Sequence, residues 1–145
     1  MASEKKTKEH VKPMESGEWH VLDAKDKVLG RLATQAATLI LGKHRTDFTQ
    51  HLVAPVYVVV VNAADVVVTG SKETQKLYRR HSGHPGNLKE RSLREQREKD
   101  PRKIIELAVS GMLPKNGLRK KRLTHLRIYV GAEHPHMPQT NTPTK

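Results

Sequence analysis

The sequence predicts an α/β domain, a mainly parallel sheet with helices on both faces, and three observations carry the prediction. Residues 56–61 read VYVVVV, an uninterrupted apolar run, β-branched at every position but Tyr57. A strand that is apolar at every position is buried on both faces, as in the centre of a parallel sheet. Two stretches, 28–40 and 104–112, instead repeat their apolar residues at the helical period. The elements then alternate β, α, β, β, helices, β, which is the order of a sheet covered by helices.

Taken in turn, Trp19 to Asp23 (WHVLD) reads as a short strand ending in a turn at 24–27. Asp26 is placed to cap a helix whose apolar face is Val28, Leu29, Leu32, Ala33, Ala36, Leu39 and Ile40, with Gly42 as its stop. Gly30 inside that helix costs about 1 kcal/mol relative to Ala, so close backbone packing is expected there. Residues 43–55 have no period and read as a basic loop. After the valine strand, 62–65 turn and Val66–Thr69 is a further short strand. Residues 71–100 are poor in apolar groups and read as a polar stretch, with Leu77 and Tyr78 as anchors and a short exposed helix from Ser92 to Lys99.

Asp100-Pro101 is an N-cap followed by proline in the first helical position. Ile104, Ile105, Leu107, Ala108 and Met112 form the buried face of that helix, and Gly111 and Pro114 end it. Asn116 caps a last short helix with Leu118, Leu123 and Leu126 apolar. Residues 127–130 (RIYV) close the sheet. The expected organisation is an N-terminal extension at 1–18, flexible and of balanced charge, one α/β domain at 19–131, and an extended Pro- and Thr-rich tail at 132–145.

The chain has 145 residues, enough for a single core without staples. It has no cysteine, so disulfides and Cys-based zinc sites are excluded and a reducing compartment is compatible. The first 18 residues lack the apolar stretch of a secretory signal, and their acids argue against a transit peptide. No run approaches the ~20 apolar residues of a spanning helix. Lys and Arg number 27 against 15 acids, a net charge of +12. Such an excess favours a polyanionic partner through counterion release and long-range attraction.

Three clusters of basic residues stand out. The first holds Lys43, His44 and Arg45, with Phe48 and His51 close behind. The second holds Lys72, Lys76, Arg79, Arg80 and His81, continuing to Lys89, Arg91 and Arg94. The third holds Lys115, Arg119, Lys120, Lys121, Arg122 and Arg127, and no acid lies between Glu106 and Glu133. Charge runs are often only solvated faces, but three runs of one sign point to nucleic acid. No groove-entering element of a DNA reader is evident. Dispersed basic loops fit a folded RNA, whose shape and phosphates spread over a large surface. Trp19, Tyr57 and Tyr129 fall in expected strands as core or sheet-face residues. Phe48 and Tyr78 lie in basic stretches, where they either stack on bases or pin the loops to the core.

Other chemistry finds less support. Gly70-Ser71-Lys72 follows a strand but lacks the first glycine and the helix-opening pattern of a P-loop, and no dinucleotide glycine motif occurs. His81 and His84, and His134 and His136, are spaced for metal ligation only if each pair meets a third ligand in space. With Pro85 and Pro135 keeping them out of helices, they read as RNA-contacting or solvated loop residues, and no metal or other cofactor is expected. Asp23, Asp26, Asp47, Asp65 and Asp100 sit at turns and caps, so no catalytic residue is proposed. The rival classes are an RNA-acting enzyme, which needs a pocket of convergent shifted groups, and a free RNA-binding regulator.

Five separated segments, in order, resemble the bacterial-type ribosomal protein L13 family: WHVLDAKDKVLGRLATQAATLILGKH at 19–44, VVVVNAADVVVTGSK at 58–72, YRRHSGHPGNLKER at 78–91, ELAVSGMLPKNGLRKKRL at 106–123 and IYVGAEHPHMPQ at 128–139. The resemblance implies a three-layer α/β/α fold around a four-stranded parallel sheet. It also implies a structural, non-enzymatic role in the cytoplasmic ribosome, binding large-subunit ribosomal RNA in early assembly beside neighbouring ribosomal proteins. No membrane, small-molecule substrate or homo-oligomer is expected. By the same resemblance the contacts include Lys43, His44, Thr49 and His51; Tyr78, Arg80, His81, Ser82, Gly83, Pro85 and Gly86; Gly111 to Asn116, with Lys115; and His134, Pro135 and His136. The family pattern departs at Thr49-Gln50-His51, at Ala54-Pro55 and at His84, which stands where the family has a stacking Tyr.

Overall fold

The computed structural model describes residues 17–140. The expectations for 1–16 and for the Thr-rich end, 141–145, lie outside them. At the centre is strand β2 (Val56–Val61), flanked by β1 (Glu18–Asp23) and β5 (Leu126–Ile128), all parallel, in the order β1-β2-β5. Register pairs Glu18 with Val56 and Val58 with Leu126. Val56, Val58, Val59 and Val60 have no exposed surface. Each buried valine contributes roughly 1.5–3 kcal/mol, so both faces of β2 need a cover.

One face is covered by helices. Helix α1 (Leu29–Leu41) buries Leu32, Ala33, Ala36 and Ile40 against Val58 and Val60. Helix α4 (Pro101–Met112) adds Ile104, Ile105 and Val109 to the same core. The other face is covered by stacked rings. Trp19 lies 4.6 Å from Tyr57 and 4.9 Å from His136, and Tyr57 lies 4.5 Å from His125. The C-terminal segment, expected to be extended, makes one helical turn, α6 (Met137–Thr140), against β1.

Local signals explain the helix ends. Gly42 stops α1 at φ 77, and a Cβ there would meet that of Ala54 at 2.7 Å. Asp100 caps α4, accepting from the Arg102 amide at 3.2 Å, with Pro101 behind it. Ser92 and Glu95 form a reciprocal capping box on α3 (Leu93–Lys99). Two expected caps are corrected. Asp26 sits in a turn at φ 58, and α1 starts from Val28 without a side-chain cap. Its first amide is instead satisfied through the chain at Val67, where Leu29 N–H donates to Val67 O and Val67 N–H to Lys27 O, both at 2.9 Å. The helix α5 (Leu118–Leu123) starts from Gly117, not from an Asn116 side chain.

The sheet has three strands, not four. Asn62, in the left-handed region at φ 56, and a 3-10 turn at Ala63–Asp65 lead the chain away from β2's neighbours. The expected strand at 66–69 is reduced to a single bridge between Val28 and Val67, while Val66 turns into the core. The polar stretch after it is not a loop. A short turn α2 (Lys72–Gln75) leads into an antiparallel hairpin of β3 (Leu77–His81) and β4 (Leu88–Ser92). On α4 the apolar face centres on Ile105 and Val109, so Leu107 and Met112 stay largely exposed.

Gly30 does not mark a close approach, because nothing lies within 4 Å of a Cβ built there. Gly30→Ala is therefore expected to raise stability by up to about 1 kcal/mol, read as a shift of the urea midpoint. A lower midpoint would mean that the backbone needs glycine at this position.

Candidate nucleic-acid interface

The hairpin is built from its cross-strand pairs. Tyr78 faces Arg91, Arg79 faces Glu90 and Arg80 faces Lys89. Alternation along a strand sends these pairs to opposite sides. One side carries Arg79 and Glu90, joined at 2.5 Å. The other carries Tyr78, Arg80, Lys89 and Arg91, and among the described residues no carboxylate pairs with these three cations. Like charges placed opposite each other cost stability, so this side gains from an anion laid across it.

A cleft of about 980 Å³ runs from this side to α3 and α4. Lys99 and Lys103 reach it, and Asp100 is the acid among its lining groups. These two lysines were missed in the sequence because each sits in a helix among acids, Glu95, Glu98, Asp100 and Glu106, which mask them as part of a balanced stretch. The Tyr78 hydroxyl is buried without a hydrogen-bond partner, burial raises its pKa, and its ring packs on the core under Lys76 Nζ at 5.5 Å. Tyr78 thus pins the hairpin. The connecting turn, Ser82 to Asn87, is fully exposed, with Gly83 and Gly86 at positive φ and the Gly83 amide donating to His81 Nδ1 at 3.0 Å. His84 and Pro85 stand at its tip.

The first and third basic regions meet at the amino-terminal edge of the parallel sheet, since each leads directly into a strand. Arg122 joins them. It was expected to contact nucleic acid, and the structure corrects this. It is 2% exposed, and its Nη2 donates to the carbonyls of Gln50 at 2.9 Å and Leu52 at 3.1 Å. The helical spacing within 118–123 turns Arg122 inward while Lys120 and Lys121 stay exposed and Arg119 is half-buried. Lys43, Phe48, Thr49, His51, Lys115 and Asn116 are exposed.

Arg45 is not free. It holds Asp47 through two bonds, at 2.9 and 3.0 Å, and lies 3.6 Å from Glu18. His44 Nε2 is 3.2 Å from the same Glu18 carboxylate. Burial works to raise the Glu18 pKa, but the His44 hydrogen bond and the charges of His20, His44 and Arg45 outweigh it and leave it lowered. Lys72 and Lys76 lie exposed beside the hairpin. His134 and His136 are half-buried in the ring layer beside Tyr129, and His134 Nδ1 is buried without a hydrogen-bond partner.

Fold and charge together define a class: an α/β domain that projects unpaired cations from the edges of a rigid sheet. The chain belongs to the ribosomal protein L13 family, which it matches across residues 17–135. Among similar proteins is the large ribosomal subunit protein uL13 of Salinispora arenicola, 52% identical over 126 residues, covering 87% of this chain and 86% of the relative. The protein of that name from Dictyoglomus thermophilum is 52% identical over 122 residues, with 84% and 86% covered. The one from Trichormus variabilis is 49% identical over 135 residues, with 92% and 89% covered.

Two side chains give tests of this architecture. Arg122→Met leaves the Gln50 and Leu52 carbonyls without their donor and is expected to cost about 1–3 kcal/mol, whereas Lys121→Ala stays within about 0.5 kcal/mol. Equal urea midpoints for the two variants would contradict the anchoring role. His125 has a lowered pKa, through burial and the Arg127 charge, against its hydrogen bond to the Val56 carbonyl. The unfolded imidazole takes its proton near 6.5 and the folded one resists it. Stability from this group is complete above that pH and falls as pH drops towards the folded value. His125→Gln is expected to flatten the fall in melting temperature between about pH 7.5 and about pH 5.

Proposed function

We propose that this chain is a structural constituent of the large ribosomal subunit that binds ribosomal RNA and supports early subunit assembly and translation. Its relatives carry the name of a large-subunit protein, and no enzymatic step is assigned to it. The observation that carries the RNA-binding reading is the unpaired side of the hairpin, where Arg80, Lys89 and Arg91 stand over the cleft without a carboxylate partner. The shifted titrations fit a structural role too. The Asp23 pKa is lowered by hydrogen bonds from the Lys25 amide and Asn62, and that of Asp47 by Arg45.

The proposed contacts are the hairpin with its turn, Lys72, Lys76 and Lys99 on one side, with Lys103, which Glu106 holds at 2.6 Å, at the margin of the cleft. On the sheet edge they are Lys43, Phe48, Thr49, His51, Lys115, Asn116, Arg119, Lys120 and Lys121. His134 and His136 join through the exposed parts of the ring layer. The unpaired cations neutralise phosphates, and Arg bridges two phosphate oxygens. We further propose that residues 19–131 form the RNA-binding domain, between an extension and a tail. The partners are ribosomal RNA and neighbouring large-subunit proteins, within the cytoplasmic ribosome; no membrane, homo-oligomer or small-molecule substrate is invoked. Among the described residues no helix is long and apolar enough to cross a membrane.

The protein is expected to co-sediment with large subunits and to be released only as salt rises. Arg80→Ala and Lys120→Ala should each weaken binding and lower the slope of log affinity against log salt by about 1. A protein found only in the free pool would sink the ribosomal reading, and two unchanged slopes would remove both residues from the phosphate contacts.

A further inference from the structure

Three groups at the amino-terminal edge of the sheet form a constellation that RNA binding does not require. Glu18 and His20 are at i and i+2 on β1 and share a face. His44 follows α1 two residues after Gly42, whose left-handed turn lies tight against Ala54 and sets the chain's exit from the helix. His20 Nε2 lies 2.8 Å from Glu18 Oε1, and His44 Nε2 lies 3.2 Å from Glu18 Oε2. One ligand atom from each of the three residues can be chosen so that all lie within 4.8 Å of one another. The imidazole rings stand nearly perpendicular, at 88°.

We propose that Glu18, His20 and His44 form a zinc-binding site. Ligands at the ordinary zinc distances of about 2.0–2.2 Å sit about 3.3 Å apart in a tetrahedron, so small side-chain movements that open the 2.8 Å contact and close the longer spacings, all within 4.8 Å, form the site. Two imidazoles and one carboxylate suit zinc better than magnesium or calcium, which take oxygen ligands. The side chains keep 19–29% of their surface exposed, leaving room for water in a fourth position. His20 Nε2 gives a second indication. It is buried and touches the carboxylate, yet has no partner in hydrogen-bonding geometry. A cation bound by both atoms, once they part slightly, would satisfy them.

Arg45 is the competing charge, 3.6 Å from Glu18. Its own bidentate partner, Asp47, offsets it and holds it when the Glu18 contact opens. The inference goes beyond the ribosomal reading, and metal binding to the free protein tests it without involving RNA.

The test is titration of the metal-free full-length protein with zinc, followed by calorimetry, and with cobalt as a spectroscopic stand-in. One equivalent of zinc is expected to bind and raise the melting temperature, and cobalt should show the intense visible bands of a four-coordinate site. His20→Gln and His44→Gln should each weaken zinc binding at least about tenfold, the scale on which even outer partners of a metal act. His81→Gln, in the distant hairpin turn, should leave it unchanged. Binding equal in the parent and the two site variants would overturn the proposal. So would a parent protein giving only the weak bands of hexa-aqua cobalt, a readout that does not depend on any variant folding.

Discussion

The structure rests on the burial of β2 from both sides. Six consecutive residues, Val56–Val61, form the middle strand, and their side chains are aliphatic apart from the ring of Tyr57, so neither face is suited to water. Helices α1 and α4 close one face with aliphatic groups. The other is closed by flat rings, Trp19 on Tyr57 and His136, with His125 beside them. With both faces occupied, charged groups are left only the strand ends and whatever chain lies outside the sheet. That is where the cations are, so the distribution of charge follows from the core.

Not all of the net +12 is available to a partner. Arg45, Arg79, Arg97 and Arg102 are held by Asp47, Glu90, Glu73 and Asp100. Arg122 is a buried strut between the loop before β2 and the helix before β5. Arg80, Lys89 and Arg91 lack such partners and lie together on one side of a hairpin. The backbone ladder, from the Leu77 and Ser92 pair to the His81 and Leu88 pair, holds the two strands together while these cations repel, and the exposed Arg79–Glu90 pair on the opposite side adds a small contribution. Rigid placement of mutually repelling cations reduces what an anion must spend in ordering them.

Much of the fold was legible in the sequence, and the misses share a cause. The helix at 29–41, the Gly42 stop, the Asp100-Pro101 start and the central strand were all readable, because each is written in local periodicity or capping chemistry. The hairpin was not, since LYRRH and LKERS contain almost no apolar alternation and gain stability from each other. The strand at 66–69 was overread. Its valines suit a strand, but the left-handed Asn62 and the turn after it carry it away from the sheet.

The candidate site divides in the same way. The sequence by itself determined that the chain is a basic α/β domain, where α1 ends, where α3 and α4 begin, and where three basic clusters lie, because composition, period and capping are properties of neighbouring residues. Only the tertiary structure decided which cations are free. It turned Arg122 inward, paired Arg45 with Asp47 and Lys103 with Glu106, brought Lys99 to the hairpin's cleft, and set Glu18 and His20 against His44. Each of these depends on groups distant in the chain or on which way a side chain turns relative to the core, and an ion pair or a buried arginine exists only once the packing has fixed both.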